Sequence, residues 1–119
     1  MNDLEEFVNT TREILDRITP ETDINWTGYR NVEDLQASIN QDLNELENGN
    51  LKYLLPIYKH FLPTSTFQEI RIDDNWDQEY LDIANRMDEL YRRLKPIERQ
   101  KTNFQKISEW TKSILNFKL

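Results

Sequence analysis

The sequence predicts an all-α fold: a bundle of four main helices plus a short Pro-kinked helix, in a single domain spanning residues 1–119. Three observations carry that prediction. Apolar residues recur at i, i+3, i+4 and i+7 along most of the chain, which is the spacing of amphipathic helices. Only 2 Gly and 4 Pro occur, too few for the many tight turns of a sandwich or barrel. Cysteine is absent, so no disulfide can stand in for a core and the fold must hold by packing.

The first helix is expected from about 3 to 18, with Leu4, Phe7, Val8, Ile14, Leu15 and Ile18 on one stripe and Thr11 filling its gap. Asn2 or Asp3 can cap it, and Glu5 and Glu6 suit the positive end of its dipole. Thr19-Pro20 stops it, because proline restricts the residue before it and removes a donor. The loop PETDINWTGYR follows, with Ile24, Trp26 and Tyr29 around Gly28. So much apolar area in a loop has two uses: a lid over the end of the core, or an aromatic anchor for a partner with Arg30 beside it.

A second helix opens at Asn31, buries Val32, Leu35, Ile39, Leu43 and Leu46, and ends at Asn48-Gly49. Its other face carries Glu33, Asp34, Gln41, Asp42, Asn44, Glu45 and Glu47. Asn50 then caps LKYLLPIYKHFL, in which Pro56 should kink or restart the helix; being apolar nearly all round, this segment is expected at the centre of the bundle. Pro63-Thr64-Ser65-Thr66 ends it. FQEIRI, residues 67–72, reads either as a lone strand or as one helical turn capped by Ser65 or Thr66, and a lone strand would have no pairing partner. The turn DDNWD leads into a long helix whose stripe is Trp76, Tyr80, Ile83, Ala84, Met87, Leu90, Tyr91 and Leu94. Lys95-Pro96 should break or bend it, and Thr102 with Gln105 forms a capping box for a last helix that turns Phe104, Ile107, Trp110, Ile114 and Phe117 inward.

Charge is unevenly spread. Residues 1–50 hold 12 acids and 3 bases, a net of -9, whereas 51–119 hold 10 acids and 12 bases, a net of +2. From 92 to 118 the basic residues Arg92, Arg93, Lys95, Arg99, Lys101, Lys106, Lys112 and Lys118 meet only Glu98 and Glu109. Either the two halves pair within one molecule, or one face meets a partner of opposite charge. The acidic N-terminus MNDLEEFVNTT lacks the basic start and apolar run of a secretory signal, and no apolar stretch of about 18 residues occurs, so a cytoplasmic location is expected. Without a signal, the sequons at Asn9 and Asn25 read as chance.

Catalytic constellations are poor. His60 is the single histidine and sits in an apolar segment, where a satisfied structural histidine is the plain reading. Asp73, Asn75 and Asp77 match the first half of a calcium loop, but Gln78 replaces its glycine and Ala84 its bidentate glutamate, leaving an acidic turn placed against a helix dipole. Small all-helical nucleotide pyrophosphohydrolases hold magnesium with i, i+3 carboxylate pairs. The pairs Asp42/Glu45 and Glu79/Asp82 resemble that arrangement but lack the consecutive glutamates before the first pair, and a solvated helix face also explains them. The aromatics of YRRLKPIERQKTNFQK fall on apolar stripes, and acidic faces repel both phosphate and anionic lipid. Neither nucleic acid nor membrane is expected.

The expected function is therefore non-enzymatic binding of a basic protein through the acidic N-terminal half, with Trp26, Tyr29, Arg30, Glu33, Asp34, Asp42 and Glu45 as the contact residues and self-association open. No catalytic, cofactor or metal residue is assigned. By analogy of size and charge alone, bacterial immunity proteins and antitoxins are comparable; the alternative is a magnesium-dependent enzyme resembling the pyrophosphohydrolases.

Overall fold

Every element of the computed structural model is helical. It describes residues 2–118 except 26, 64, 71, 73 and 74, with 100–118 as backbone alone. The elements are α1 (Asp3–Arg17), α2 (Val32–Glu47), α3 (Leu54–Tyr58), a single turn α4 (Thr66–Glu69) and α5 (Trp76–Lys118). Tight 3-10 turns flank α3 at Leu51–Tyr53 and Lys59–Phe61. The all-α bundle expected from the spacing of apolar residues is the fold observed.

Local chemistry sets the ends. The Asn2 side chain accepts from the Glu5 N–H at 2.8 Å and Asn31 from the Asp34 N–H at 2.7 Å, each relieving an orphan donor of a first turn. At the end of α2, Gly49 takes φ +96°. The Gly49 N–H then donates to Leu46 and the Asn50 N–H to Glu45, both at 3.0 Å, which satisfies two terminal carbonyls and turns the chain into α3.

The turn after α2 and the position of Pro56 explain each other. Because the helix restarts at Leu54, Pro56 falls in the first turn of α3, where its missing N–H has no intrahelical partner to lose. Leu54, Ile57 and Phe61 are buried from this segment. It is not central all round, however: Leu55 is 40% exposed, so one face packs and the other meets solvent. Of the segment 67–72, Phe67 to Glu69 belong to the helical turn α4 rather than to a strand, with Ser65 at the cap position but no side-chain bond to the turn, and Ile70 extended and buried behind it.

Four rods form the bundle in the cyclic order α1, α2, α3, α5, each packed on its two neighbours, while α2 and α5 occupy one diagonal. Side-chain pairs give the directions. Gln36 at the start of α2 donates to the carbonyls of Leu15 and Ile18 at the end of α1, and Arg12 reaches Asn44 at 2.8 Å, so α1 and α2 are antiparallel. Arg17 meets Glu79 while Asp3 meets Arg93, so α1 and α5 are antiparallel too. Tyr58 stacks on Tyr91 and Phe61 accepts from Tyr80, which runs α3 against α5 in the same sense.

One apolar cluster joins all of these, from Phe7 and Leu15 through Leu35, Leu43, Ile57 and Phe67 to Met87 and Leu90. Polar atoms inside it are paired. The Thr11 hydroxyl donates to the Phe7 carbonyl at 2.9 Å, Trp76 Nε1–H to Phe67 at 2.8 Å and the Tyr80 hydroxyl to Phe61 at 2.5 Å. Such pairing matters because an unsatisfied buried donor costs about 1–3 kcal/mol.

The expected break at Lys95-Pro96 does not occur. α5 continues through Pro96 to Lys118, so Thr102 and Gln105 lie inside a helix rather than at its start. Proline removes one ladder bond, but its φ is helical, and the flanks, Glu-Leu-Tyr-Arg-Arg-Leu-Lys and Ile-Glu-Arg-Gln-Lys, carry no glycine or second proline. Both Arg92, whose carbonyl loses its partner, and Pro96 are exposed, so the unpaired carbonyl is on the solvent side of the helix, where the lost bond costs least. At about 1.5 Å per residue the 43 residues of α5 span about 64 Å, which is the long dimension of the molecule. The inward placement expected for Phe104, Ile107, Trp110, Ile114 and Phe117 concerns side chains outside the described residues, as does the acidic turn at Asp73.

Candidate acidic interface

Ion pairing is concentrated on one seam. Arg86 of α5 binds Glu6 of α1 with two of its nitrogens and Glu89 with a third at 2.9 Å; Arg93 binds Glu89 at 2.7 Å and Asp3 at 3.5 Å. Arg17 binds Glu79 at 2.6 Å and lies 5.2 Å from the centre of the Trp76 ring. Arg12 pairs with Glu47 across α1 and α2. The opposite charges of the two halves therefore do meet inside the molecule, among the described residues along α1. Arg86 holds the Glu6 carboxyl below its ordinary range, chiefly through their hydrogen bond.

Apart from the Arg12–Glu47 pair at its far end, the outer face of α2 has no ion pair among the described residues. Glu33 and Asp34 occupy its first turn, both exposed and without an ion pair among the described residues, stabilised there by the helix dipole. Gln36 fixes this end of α2 beside the end of α1, where Asp16 is exposed and likewise without an ion pair. The connecting loop adds exposed Glu21 and Asp23. One end of the bundle thus carries a group of uncompensated carboxylates with Arg30 as an exposed base among them. Farther up α1, Glu6, Asn9, Thr10, Arg12, Glu13 and Asp16 line a surface depression of about 360 Å³.

The expected contact residues divide accordingly. Tyr29, Arg30, Glu33 and Asp34 come together at that end. Asp42 and Glu45 do not join them, since 8 and 11 residues of helix beyond Asp34 place them about 12 and 17 Å away along the axis. Asp42 is half-buried, and burial alone raises its carboxyl above the ordinary value. Glu45 accepts from the Asn50 side chain and so serves the end of α2. Trp26 lies outside the described residues. Asp16, Glu21 and Asp23, which are not among the expected contact residues, lie at the same end; the signal for them is in the sequence, as the acids flanking the stop at Thr19-Pro20.

Tyr29 is half-buried and packs on the core, with its ring 6.5 Å from that of His60. It is a lid with one exposed edge. His60 is satisfied, its Nδ1 2.7 Å from the Thr66 hydroxyl and its ring 5.8 Å from Phe67, and burial alone lowers its pKa.

The carboxylate pairs of the magnesium reading stay apart. Asp42 and Glu45 are on α2 and Glu79 and Asp82 on α5, the diagonal of the bundle, and Glu79 is held by Arg17. Among the described residues no group of three or more His, Asp or Glu side chains is placed to hold a metal ion, and no helix is long and apolar enough to cross a membrane. No family model, curated protein or solved structure matches the chain.

Proposed function

We propose that the protein is a non-enzymatic binding module that docks a basic protein at the acidic end of the α1/α2 pair. One observation carries this reading. The arginines on α1 and facing it are paired with Glu6, Glu47, Glu79, Glu89 and Asp3, whereas Asp16, Glu33 and Asp34 have no ion pair among the described residues. Uncompensated charge on rigid helix ends is suited to steering a partner of opposite sign and fixing its register, and its contribution falls with salt. The exposed edge of Tyr29 beside Arg30 supplies the amphipathic contact that such a patch needs at its centre. Immunity proteins and antitoxins, which neutralise basic toxins, are the comparable class by size and charge.

The test is capture from lysate of the source organism at low and high salt, by the wild-type chain and by Glu33→Lys/Asp34→Lys. A basic protein retained stoichiometrically by the wild type at low salt, and lost with either salt or charge reversal, supports the reading. Equal capture by both chains overturns it.

A further inference from the structure

The segment between α1 and α2 is bonded to itself. Thr22 pairs with Thr19, the Asn25 N–H with Asp23, the Thr27 N–H and hydroxyl with the Ile24 carbonyl, and the Tyr29 N–H with the Thr27 hydroxyl. Among the described residues of 19–30 no hydrogen bond reaches another element, the segment being anchored at its two ends by Ile18, whose carbonyl accepts from Gln36, and by Asn31, which caps α2. Between them it is seated on the body by buried Ile24 and half-buried Tyr29. A loop bonded in this way can leave the body between its two ends, since undocking the described residues breaks packing and none of their hydrogen bonds.

The ring of His60 is what Tyr29 meets there. His60 belongs to the turn after α3, contacts Phe67 of α4 and pairs with the buried Thr66 hydroxyl, so three elements converge on one imidazole. The groups that face it, Tyr29 from the loop and Thr66 and Phe67 from α4, are uncharged. The charged residues on those elements are Glu21, Asp23 and Arg30 of the loop, Lys59 and Glu69, and among the described residues none bonds to the imidazole. A proton arriving on this ring meets no counter-charge among the described residues, and the buried imidazolium recovers hydration by moving toward water.

We propose that His60 is an acid-sensitive latch for the loop carrying Tyr29 and Arg30: its protonation releases that loop from the body and dissolves the preorganised binding end. The functional consequence, weaker capture of a basic partner on mild acidification, rests on the binding reading above; the latch itself does not. Burial already disfavours the charged imidazole, which sets the release below the ordinary histidine range near 6.5.

The experiment needs no partner. On the full chain, the His60 and Tyr29 ring resonances are followed by NMR from about pH 7.5 to 5, above the ordinary range of exposed carboxylates. The expected result is a shared midpoint below 6.5 for both rings. In His60→Phe, which keeps an aromatic surface under Tyr29 but cannot be protonated, Tyr29 should not respond to pH. Tyr29 signals that stay fixed while His60 titrates, or that shift equally in His60→Phe, overturn the latch. Should His60→Phe not fold, the wild-type comparison of the two midpoints alone decides.

Discussion

Arg86 grips both carboxylate oxygens of Glu6, joining α5 to α1 across 80 residues of sequence, while a third nitrogen holds Glu89 on its own helix. The pair is part-exposed, so its energetic weight is modest and solvent-screened. Its pH signature is nonetheless defined. A carboxyl held below its unfolded value stabilises the fold above that value, near 4.5, and loses the contribution as pH falls through the lowered folded value. Glu6→Gln should therefore reduce the urea midpoint at pH 7 and converge with wild type in acid. A difference that persists below pH 3 would show that packing, not charge, is what Glu6 supplies.

Trp76 closes the core where α4 meets α5, 1% exposed and bonded to the Phe67 carbonyl. Trp76→Phe should cost about 2–4 kcal/mol in urea unfolding, from the cavity plus the orphaned carbonyl. Tyr80→Phe, which removes only a hydroxyl and its bond to Phe61, should cost about 1–2 kcal/mol. Equal losses for the two would contradict the packing described.

Pro96 sits inside α5 as a penalised residue in an exposed position. Pro96→Ala restores a donor to the Arg92 carbonyl and should raise stability, by up to about 3 kcal/mol, the intrinsic difference between the two residues in a helix. Thermal unfolding followed by circular dichroism measures it. A lower melting temperature would mean that the chain is broken at 96 after all.

Tyr58 donates to Asp88 at 2.5 Å and stacks on Tyr91 with ring centres 4.0 Å apart. Burial first, and the Asp88 hydrogen bond next, push its phenol up to about 12. Because the folded value exceeds the unfolded one, this contribution is whole below about 10 and is lost as pH rises from there through about 12. An alkaline absorbance titration should show a late-ionising tyrosine that disappears in Tyr58→Phe.

Tyr29→Ala separates lid from anchor. The half-buried ring predicts a measurable but tolerable loss of stability, about 1–2 kcal/mol, together with loss of partner capture by a chain whose helical dichroism is unchanged. Global unfolding would assign the residue to the core alone.

The sequence by itself determined α1 and α2 and their buried faces. Spacing set the stripes from Phe7 to Leu15 and from Leu35 to Leu46, Asn2 and Asn31 marked the starts, and Asn48-Gly49 marked a stop, because each follows from bonds closed within a few residues. Tertiary structure decided what depends on neighbours. It made Pro96 a blemish in a continuous helix, turned one side of the Leu55 segment to water and set Asp42/Glu45 and Glu79/Asp82 on a diagonal. It also determined which acids are paired. Glu6 and Glu33 look alike in sequence, yet antiparallel packing brings Arg86 to Glu6, whereas Glu33 has no ion pair among the described residues, because only the folded arrangement sets which charges approach each other.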